Sequence, residues 1–262
     1  MINTIESIGR SGLNVFITLR ATLLLAAQII LRLLSRHAYN SASRMVFINQ
    51  FYFTSVQILP LFLFVAVVFG TMVNGMAFQV IKNLGLTDYL GRLLMGFVVT
   101  EIAPFITVLL IALRSGSAIN AEIAVMKVNR ELNTLKIFNI DVIDYLFVPR
   151  VMTGMLSMVL LSSLFSMMVL VTGLFVSSAI FGTSVDDYIG ILLKSASLSD
   201  IVIVLIKCAT FGFFITLIPI IRGLNASEEE LTSIPVAVLN GMVRVFIAIV
   251  IIEVLSSIIR FI

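Results

Sequence analysis

The chain has 262 residues, 60% of them hydrophobic and 12% charged, with a formal net charge of +3 and a mean hydropathy of +1.16. A soluble domain carries about 25% charged residues, so this composition excludes an ordinary water-soluble fold and requires lipid as part of the solvent. Single Cys208 and single His37 exclude an intrachain disulfide framework and multi-Cys or multi-His metal sites. No basic run or basic–aromatic patch offers nucleic acid a surface.

The first predicted element is the leucine-rich stretch Leu13–Leu34, which carries Arg20, Gln28 and Arg32 and is flanked by Arg10, Arg36 and Arg44. No cleavable leader is expected, because Arg20 interrupts the apolar region and no clear small-x-small site precedes a polar start. An Arg at the centre of a span costs roughly 2.5–3.5 kcal/mol. The preferred reading is therefore a helix lying in the membrane interface, with a sixth span as the alternative. Residues 1–50 are assigned to this N-terminal amphipathic region and residues 51–262 to a five-span domain.

A bilayer core takes about 20 apolar residues per helix, and five segments supply them. They are Phe51–Val73, Leu93–Leu113, Phe147–Phe181, Ile201–Ile221 and Val236–Ile259. The third is unusually long and is expected to tilt, bend or extend beyond the bilayer. The expected fold is thus all-α and integral to the membrane. Two caps are legible between spans: Thr183/Ser184 before Asp186-Asp187, opening a short external helix, and Ser227 with Glu230 three residues on, a capping box.

Lys and Arg are unevenly placed. The N-terminal region, the Arg114–Arg150 segment and Arg222 hold 11 of the 17, whereas Lys82, Arg92, Lys194 and Arg260 lie on the other side. Positive charge favours the cytoplasmic side, so the N-terminus and the polar segment are expected in the cytoplasm and the C-terminus outside. Lys207 and Arg244 fall within spans.

The long polar interruption between the second and third spans predicts a helix over Ala118–Phe138. Ala121, Val125, Val128, Leu132 and Leu135 recur at spacings of four and three. Glu122, Lys127, Arg130 and Glu131 lie off that stripe, and Ser115-Gly116-Ser117-Ala118 makes a small-residue entry. The segment fits either an amphipathic loop helix packed on the bundle or a docking helix for a cytoplasmic partner. None of the five lysines follows a glycine, so the chain holds no Gly-x-x-x-x-Gly-Lys phosphate loop. Any ATP-driven activity would borrow a separate ATPase, with ATP and magnesium on that partner and no cofactor in this chain.

Glu101, Lys207, Arg244 and Glu253 all lie inside predicted spans, where ionisable groups are costly and face a protein interior or a wet cavity. Glu101, one turn before Pro104, fits either a wall of a transport path or a buried ion pair with Lys207 or Arg244. For Lys207, Arg244 and Glu253 an ion-pairing, structural role is the preferred reading. Arg244 and Glu253 are nine residues apart, roughly 13 Å along a helix, too far to pair directly.

Several unlike residues fall in one order: Glu101-Ile102-Ala103-Pro104, Arg114-Ser115-Gly116-Ser117-Ala118, Ala121-Glu122, Met126-Lys127 and Val148-Pro149-Arg150. This run resembles the MlaE (YrbE) family of permeases, the membrane subunits of ABC-type phospholipid transporters. Lys207 with Phe211-Gly212, Gly223 with Asn225, and Arg244 with Glu253 extend the likeness along the chain. Thr100 stands where many members carry Arg, and Glu253 where Asp is common. The resemblance implies a homodimeric permease of the bacterial inner membrane with five spans, an N-terminal interfacial helix and a coupling helix at about 115–140 held by an ABC ATPase. It also implies a periplasmic ring of MCE-domain proteins that exchanges phospholipid with the permease toward the outer membrane. On that basis Glu101, Val73, Met76, Val80 and Pro104 are candidates for the lipid path. Glu122, Met126, Lys127 and Glu131 are candidates for ATPase coupling. An intramembrane lipid-modifying enzyme or a secondary transporter is the alternative function.

Overall fold

The computed structural model describes residues 20, 22–33, 35, 41–85, 89–226 and 233–261, and these contain no β-strand. Five helical stretches are long and apolar enough to cross a membrane: Ser43–Leu84, Leu90–Val128, Ile143–Ile180, Leu198–Leu224 and Ser233–Arg260. Four contain an expected span and extend past both its ends; the third begins before Phe147, and its α-helix runs to Phe181, where that span was expected to end. The 227–230 capping box lies outside the described residues, as do Arg10, Arg36, His37 and much of the predicted interfacial stretch.

In chain order the helices are α1 Thr22–Leu33, α2 Ser41–Phe51, α3 Leu59–Leu84, α4 Leu90–Leu93, α5 Ala103–Ile111, α6 Ser117–Val128, α7 Glu131–Ile137, α8 Val148–Phe181, α9 Val185–Ser195, α10 Leu198–Leu224 and α11 Ser233–Phe261. Of four π-helical segments, Leu94–Ile102 and Ala112–Gly116 run directly between neighbouring α-helices, Tyr52–Val56 is followed by a turn at 57–58 before α3, and Ile143–Phe147 leads directly into α8 after a break at 138–141. The second span is therefore π-helical up to Ile102 and α-helical from Ala103, with Pro104 in the first turn of α5. Proline lacks an N–H and suits that first turn, where the donor has no partner within the helix.

Helix α8 is the axis of the bundle. Its 34 residues span about 51 Å at 1.5 Å per residue, well beyond a hydrocarbon core of about 30 Å. Helices α3 and α10 pack along it. Phe62 of α3 meets Phe165 of α8 edge-on at 5.6 Å, and Leu94, Val98, Met158, Val169, Phe211 and Ile215 are buried around them. Polar rungs tie the same helices. Buried Asn74 on α3 donates to Gly70 O at 2.7 Å and across to Val169 O at 2.9 Å, and Ser55 donates to Ser157 at 2.5 Å. Such interhelical bonds suit an environment where hydrophobic burial against lipid gives little drive.

Helices α8 and α10 cross where Gly154 faces Gly212. A Cβ on Gly154 would lie 2.9 Å from Gly212 O, and one on Gly212 would lie 2.5 Å from Gly154 O. Only hydrogen fits at that backbone approach.

A second apolar cluster occupies the end of the bundle that carries α6 and α7. Ile29, Ile123, Leu132, Val142, Phe147, Val151 and Ile220 are buried in it. Helix α1 reaches this cluster through Ile29, and Arg32 pairs with Asp141 at 3.2 Å and with Asp144. Ser43 also donates to the Asp144 carbonyl at 3.1 Å. The opposite face of α1, with Leu23, Leu24 and Leu31, is exposed.

The single helix expected over Ala118–Phe138 is instead two. It breaks at Asn129–Arg130, where Arg130 takes φ 59° and α7 restarts at Glu131. The buried face also differs from the predicted stripe. Ile119, Asn120, Ile123 and Ala124 are buried, whereas Val125 is exposed and Ala121 half-buried. Helices α10 and α11 set that face. Asn120 Nδ2 donates to Ala237 O at 3.1 Å, and Gly223 lies against Ile123 and the Asn120 carbonyl. A short helix opens at the predicted cap: Ser184 caps α9 by accepting from Asp187 N at 3.1 Å.

Candidate functional site

Three spans converge on one charged cluster. The π-helical half of the second span presents Glu101, α10 presents Lys207, and α11 presents Glu253 and Arg260. Lys207 Nζ lies 2.5 Å from Glu101 Oε2 and 2.9 Å from Glu253 Oε1, and it donates to the Thr100 carbonyl at 3.4 Å. Its three donors are therefore all directed at oxygen, and its side chain is 2% exposed. Arg260 Nη1 pairs with Glu101 Oε1 at 3.1 Å and also donates to Thr100 Oγ1 and Gly96 O. Arg260 Nη2 approaches Asp200 at 3.6 Å, and Ser257 donates weakly to Glu101 Oε2 at 3.5 Å. Two carboxylates and two cations balance at the centre. That balance lets four ionisable groups stay inside a membrane protein at a tolerable cost.

The cluster borders a groove between α10 and α11 of about 510 Å³. Lys207 lies at its floor, with Thr210, Phe214, Ile251, Leu255 and Ser256 among its walls. The lining is almost entirely hydrocarbon, with a lysine and two hydroxyls as its polar points. A chain of methylenes could lie against the walls while an anionic group met the cationic floor.

Of the two alternatives for Glu101, the structure shows the ion pair, with Lys207 rather than Arg244; Glu101 itself is not among the groove's lining, which it meets only through Lys207. Lys207 pairs with Glu253 as well. Arg244 does not join them. It lies on the exposed outer face of α11 and makes no ion pair among the described residues, because roughly 13 Å of helix separates it from Glu253. The cation that completes the cluster is Arg260, which the positional reading placed on the far side as an ordinary flanking charge.

Val73, Met76 and Val80 lie elsewhere. Met76 and Val80 are exposed on the outer surface of α3, Val73 packs partly into the core, and none of the three lines the α10–α11 groove. Pro104 is buried beneath Glu101 in α5. In the polar segment, Glu122 is engaged internally: its Oε1 accepts from Arg150 Nη2 at 2.5 Å, and the Arg150 side chain is 1% exposed. Met126 packs partly into the second apolar cluster, while Glu131 is exposed and accepts from Asn129 at 3.2 Å. Lys127 is half-buried.

Five membrane-length helices among the described residues, with a charged cluster buried between three of them beside an apolar groove, define a polytopic membrane protein. The Permease MlaE family profile matches residues 47–259, and the chain belongs to that family. Among curated relatives it is similar to the chloroplastic protein trigalactosyldiacylglycerol 1 of Arabidopsis thaliana, 31% identical over 185 residues, 66% of this chain and 52% of that protein. A probable ABC transporter permease protein of Synechocystis is 31% identical over 167 residues, 63% of this chain and 64% of that one. The intermembrane phospholipid transport system permease protein MlaE of Haemophilus influenzae is 29% identical over 177 residues, 67% of this chain and 68% of that one. The chain thus spans about half to two thirds of the length of these relatives. Two of the three are named permease proteins of transporters.

Proposed function

We propose that this chain is the membrane subunit of an ABC transporter that moves phospholipids, driven by ATP hydrolysis on a separate subunit. The observation that carries this reading is the Glu101–Lys207–Glu253–Arg260 cluster, which meets the apolar α10–α11 groove through Lys207. An acyl chain would lie along Ile251, Leu255 and Phe214, and the lipid phosphate would compete with the carboxylates for Lys207. Glu101 would then act as a replaceable counter-ion that holds Lys207 in place between substrates.

For the rest of the assembly, charge placement and exposure in this chain support the reading beside the family resemblance. The N-terminal region would lie in the cytoplasmic interface and the C-terminus in the periplasm, in a bacterial inner membrane. Segment α6–α7 would dock on the ATPase through Glu131, Lys127 and the solvent side of Glu122 and Met126. A second copy would meet the outer face of α11, where Val243, Ile247 and Val250 are exposed. That contact would also supply the exposed guanidinium of Arg244 with polar company it lacks in one chain. A periplasmic MCE-domain ring would exchange lipid with the dimer toward the outer membrane. Val73, Met76 and Val80 would contribute to the path only through that dimer.

The test is a photoreactive residue at position 256, in the groove, on the chain co-purified with its ATPase and reconstituted in phospholipid vesicles. Crosslinked phospholipid is expected, together with lipid-stimulated ATP hydrolysis that Glu101→Lys abolishes at normal protein abundance. Absence of crosslinked lipid, with hydrolysis unaltered by Glu101→Lys, would overturn the reading.

A further inference from the structure

A second pocket, of about 200 Å³, opens between the start of the first span and the end of the second. Gln50, Phe53, Thr54 and Gln57 form one wall, and Arg114, Ser115, Ala118 and Glu122 form the other. It is separate from the groove described above: Arg114 follows Glu101 by 13 residues, roughly 20 Å of helix. It lies where the apolar run Ala103–Leu113 gives way to polar sequence.

Arg114 is what the pocket holds in excess. Its Nη1 is buried without a hydrogen-bond partner, and its side chain makes no ion pair among the described residues. The nearby Glu122 does not neutralise it, because that carboxylate is already paired with buried Arg150. The pocket therefore carries one uncompensated positive charge, a blind donor, a serine hydroxyl and two glutamine amides, with exposed Phe53 at the rim. A buried donor left unmade costs about 1–3 kcal/mol, and a planar guanidinium matches phosphate oxygens in a two-pronged geometry. We propose that this pocket binds the phosphodiester headgroup of an anionic phospholipid, held by Arg114 at the junction of the second span with α6. Such a lipid would bridge the first span to the polar segment and is distinct from one carried in the α10–α11 groove. The inference stands whether or not the chain transports lipid.

The chain contains no tryptophan, so Phe53→Trp places a single indole reporter at the rim. The full chain carrying it, in non-ionic detergent, is titrated with dihexanoyl-phosphatidylglycerol, dihexanoylglycerol and inorganic phosphate. A saturable shift is expected with phosphatidylglycerol alone. Arg114→Gln should weaken it at least about tenfold, the loss expected of one charge-assisted bond. Gln57→Glu, at an exposed position that folding tolerates, should weaken it similarly by adding a negative charge. The proposal is overturned if Arg114→Gln and Gln57→Glu both bind as the parent does, or if dihexanoylglycerol binds equally well. It is also overturned if inorganic phosphate saturates the site at the same concentration.

Discussion

Replacing Lys207 with methionine keeps the length of the side chain and removes its charge. Lys207 is the shared partner of Glu101 and Glu253, and it is almost fully buried. Arg260 still meets Glu101 in the variant, but Glu253 is left 20% exposed with no cation of its own among the described residues. Removing one member of a buried pair costs about 3–5 kcal/mol, mostly for stranding the other charge. At roughly 2–4 °C per kcal/mol for a protein of this size, Lys207→Met should melt about 6–20 °C below the parent. Glu253→Gln should cost less, about 1.5–3 kcal/mol, because Lys207 keeps Glu101. The double variant Lys207→Met/Glu253→Gln has no stranded carboxylate and should recover much of the loss, so the two effects are strongly non-additive. Unfolding can be followed with a thiol-reactive dye, because Cys208 is the only cysteine and is 1% exposed in the folded chain. If Lys207→Met melts within about 2 °C of the parent, less than 1 kcal/mol at this size, the cluster does not hold these spans together. If the double variant is as unstable as Lys207→Met, the loss does not come from a stranded carboxylate, and the electrostatic argument fails.

Two further outcomes follow from the geometry. Gly154→Val or Gly212→Val should push α8 from α10, because either side chain meets backbone oxygen at 2.9 Å or less; loss of folded protein in the same dye assay is expected, and a normal melting temperature would show that the helices can separate there without cost. In α9, outside the membrane-length helices, the Tyr188 hydroxyl donates to Leu170 O at 3.0 Å and burial pushes its ionisation up to about 12. An unfolded tyrosine ionises near 10, so folding opposes deprotonation: the associated stability is fully present below about pH 10 and is lost as pH rises through 12. Phenolate absorbance should show a late phase near pH 12 that Tyr188→Phe removes; its persistence in that variant would assign it to another tyrosine.

The spans were legible because lipid leaves a coarse signal. About 20 apolar residues in a row are needed whatever the packing, and all five expected segments lie within the helices observed. Their ends were less legible. The pattern of hydropathy falls at Val73, yet α3 continues to Leu84, because Asn74 bonds back to Gly70 and across to α8 rather than ending the helix. The break in the polar segment was hidden for a related reason. Apolar spacing over Ala118–Phe138 fits one helix, but Arg130 adopts a left-handed conformation that no periodicity reports, and which face is buried was decided by α10 and α11, distant in sequence.

The charged cluster was half legible, and the missing half had a local signal. Glu101, Lys207 and Glu253 were marked by their cost in a span, whereas Arg260 read as a terminal flank. Yet positions 253, 257 and 260 are spaced four and three apart, which places them on one face of α11, and all three side chains reach the Glu101–Lys207 pair. Thr100, where the resembling family often carries Arg, accepts a hydrogen bond from the Arg260 guanidinium. Positive charge beside Glu101 is thus supplied across a helix interface in place of the neighbouring residue. Arg244 illustrates the converse. Its position within a span marks it as strongly as Lys207, but it lies on the outer face of α11, so its environment depends on what covers that face rather than on this chain's own packing. Sequence cost identifies which charges need company; only the arrangement of helices says whether the company is in the same chain.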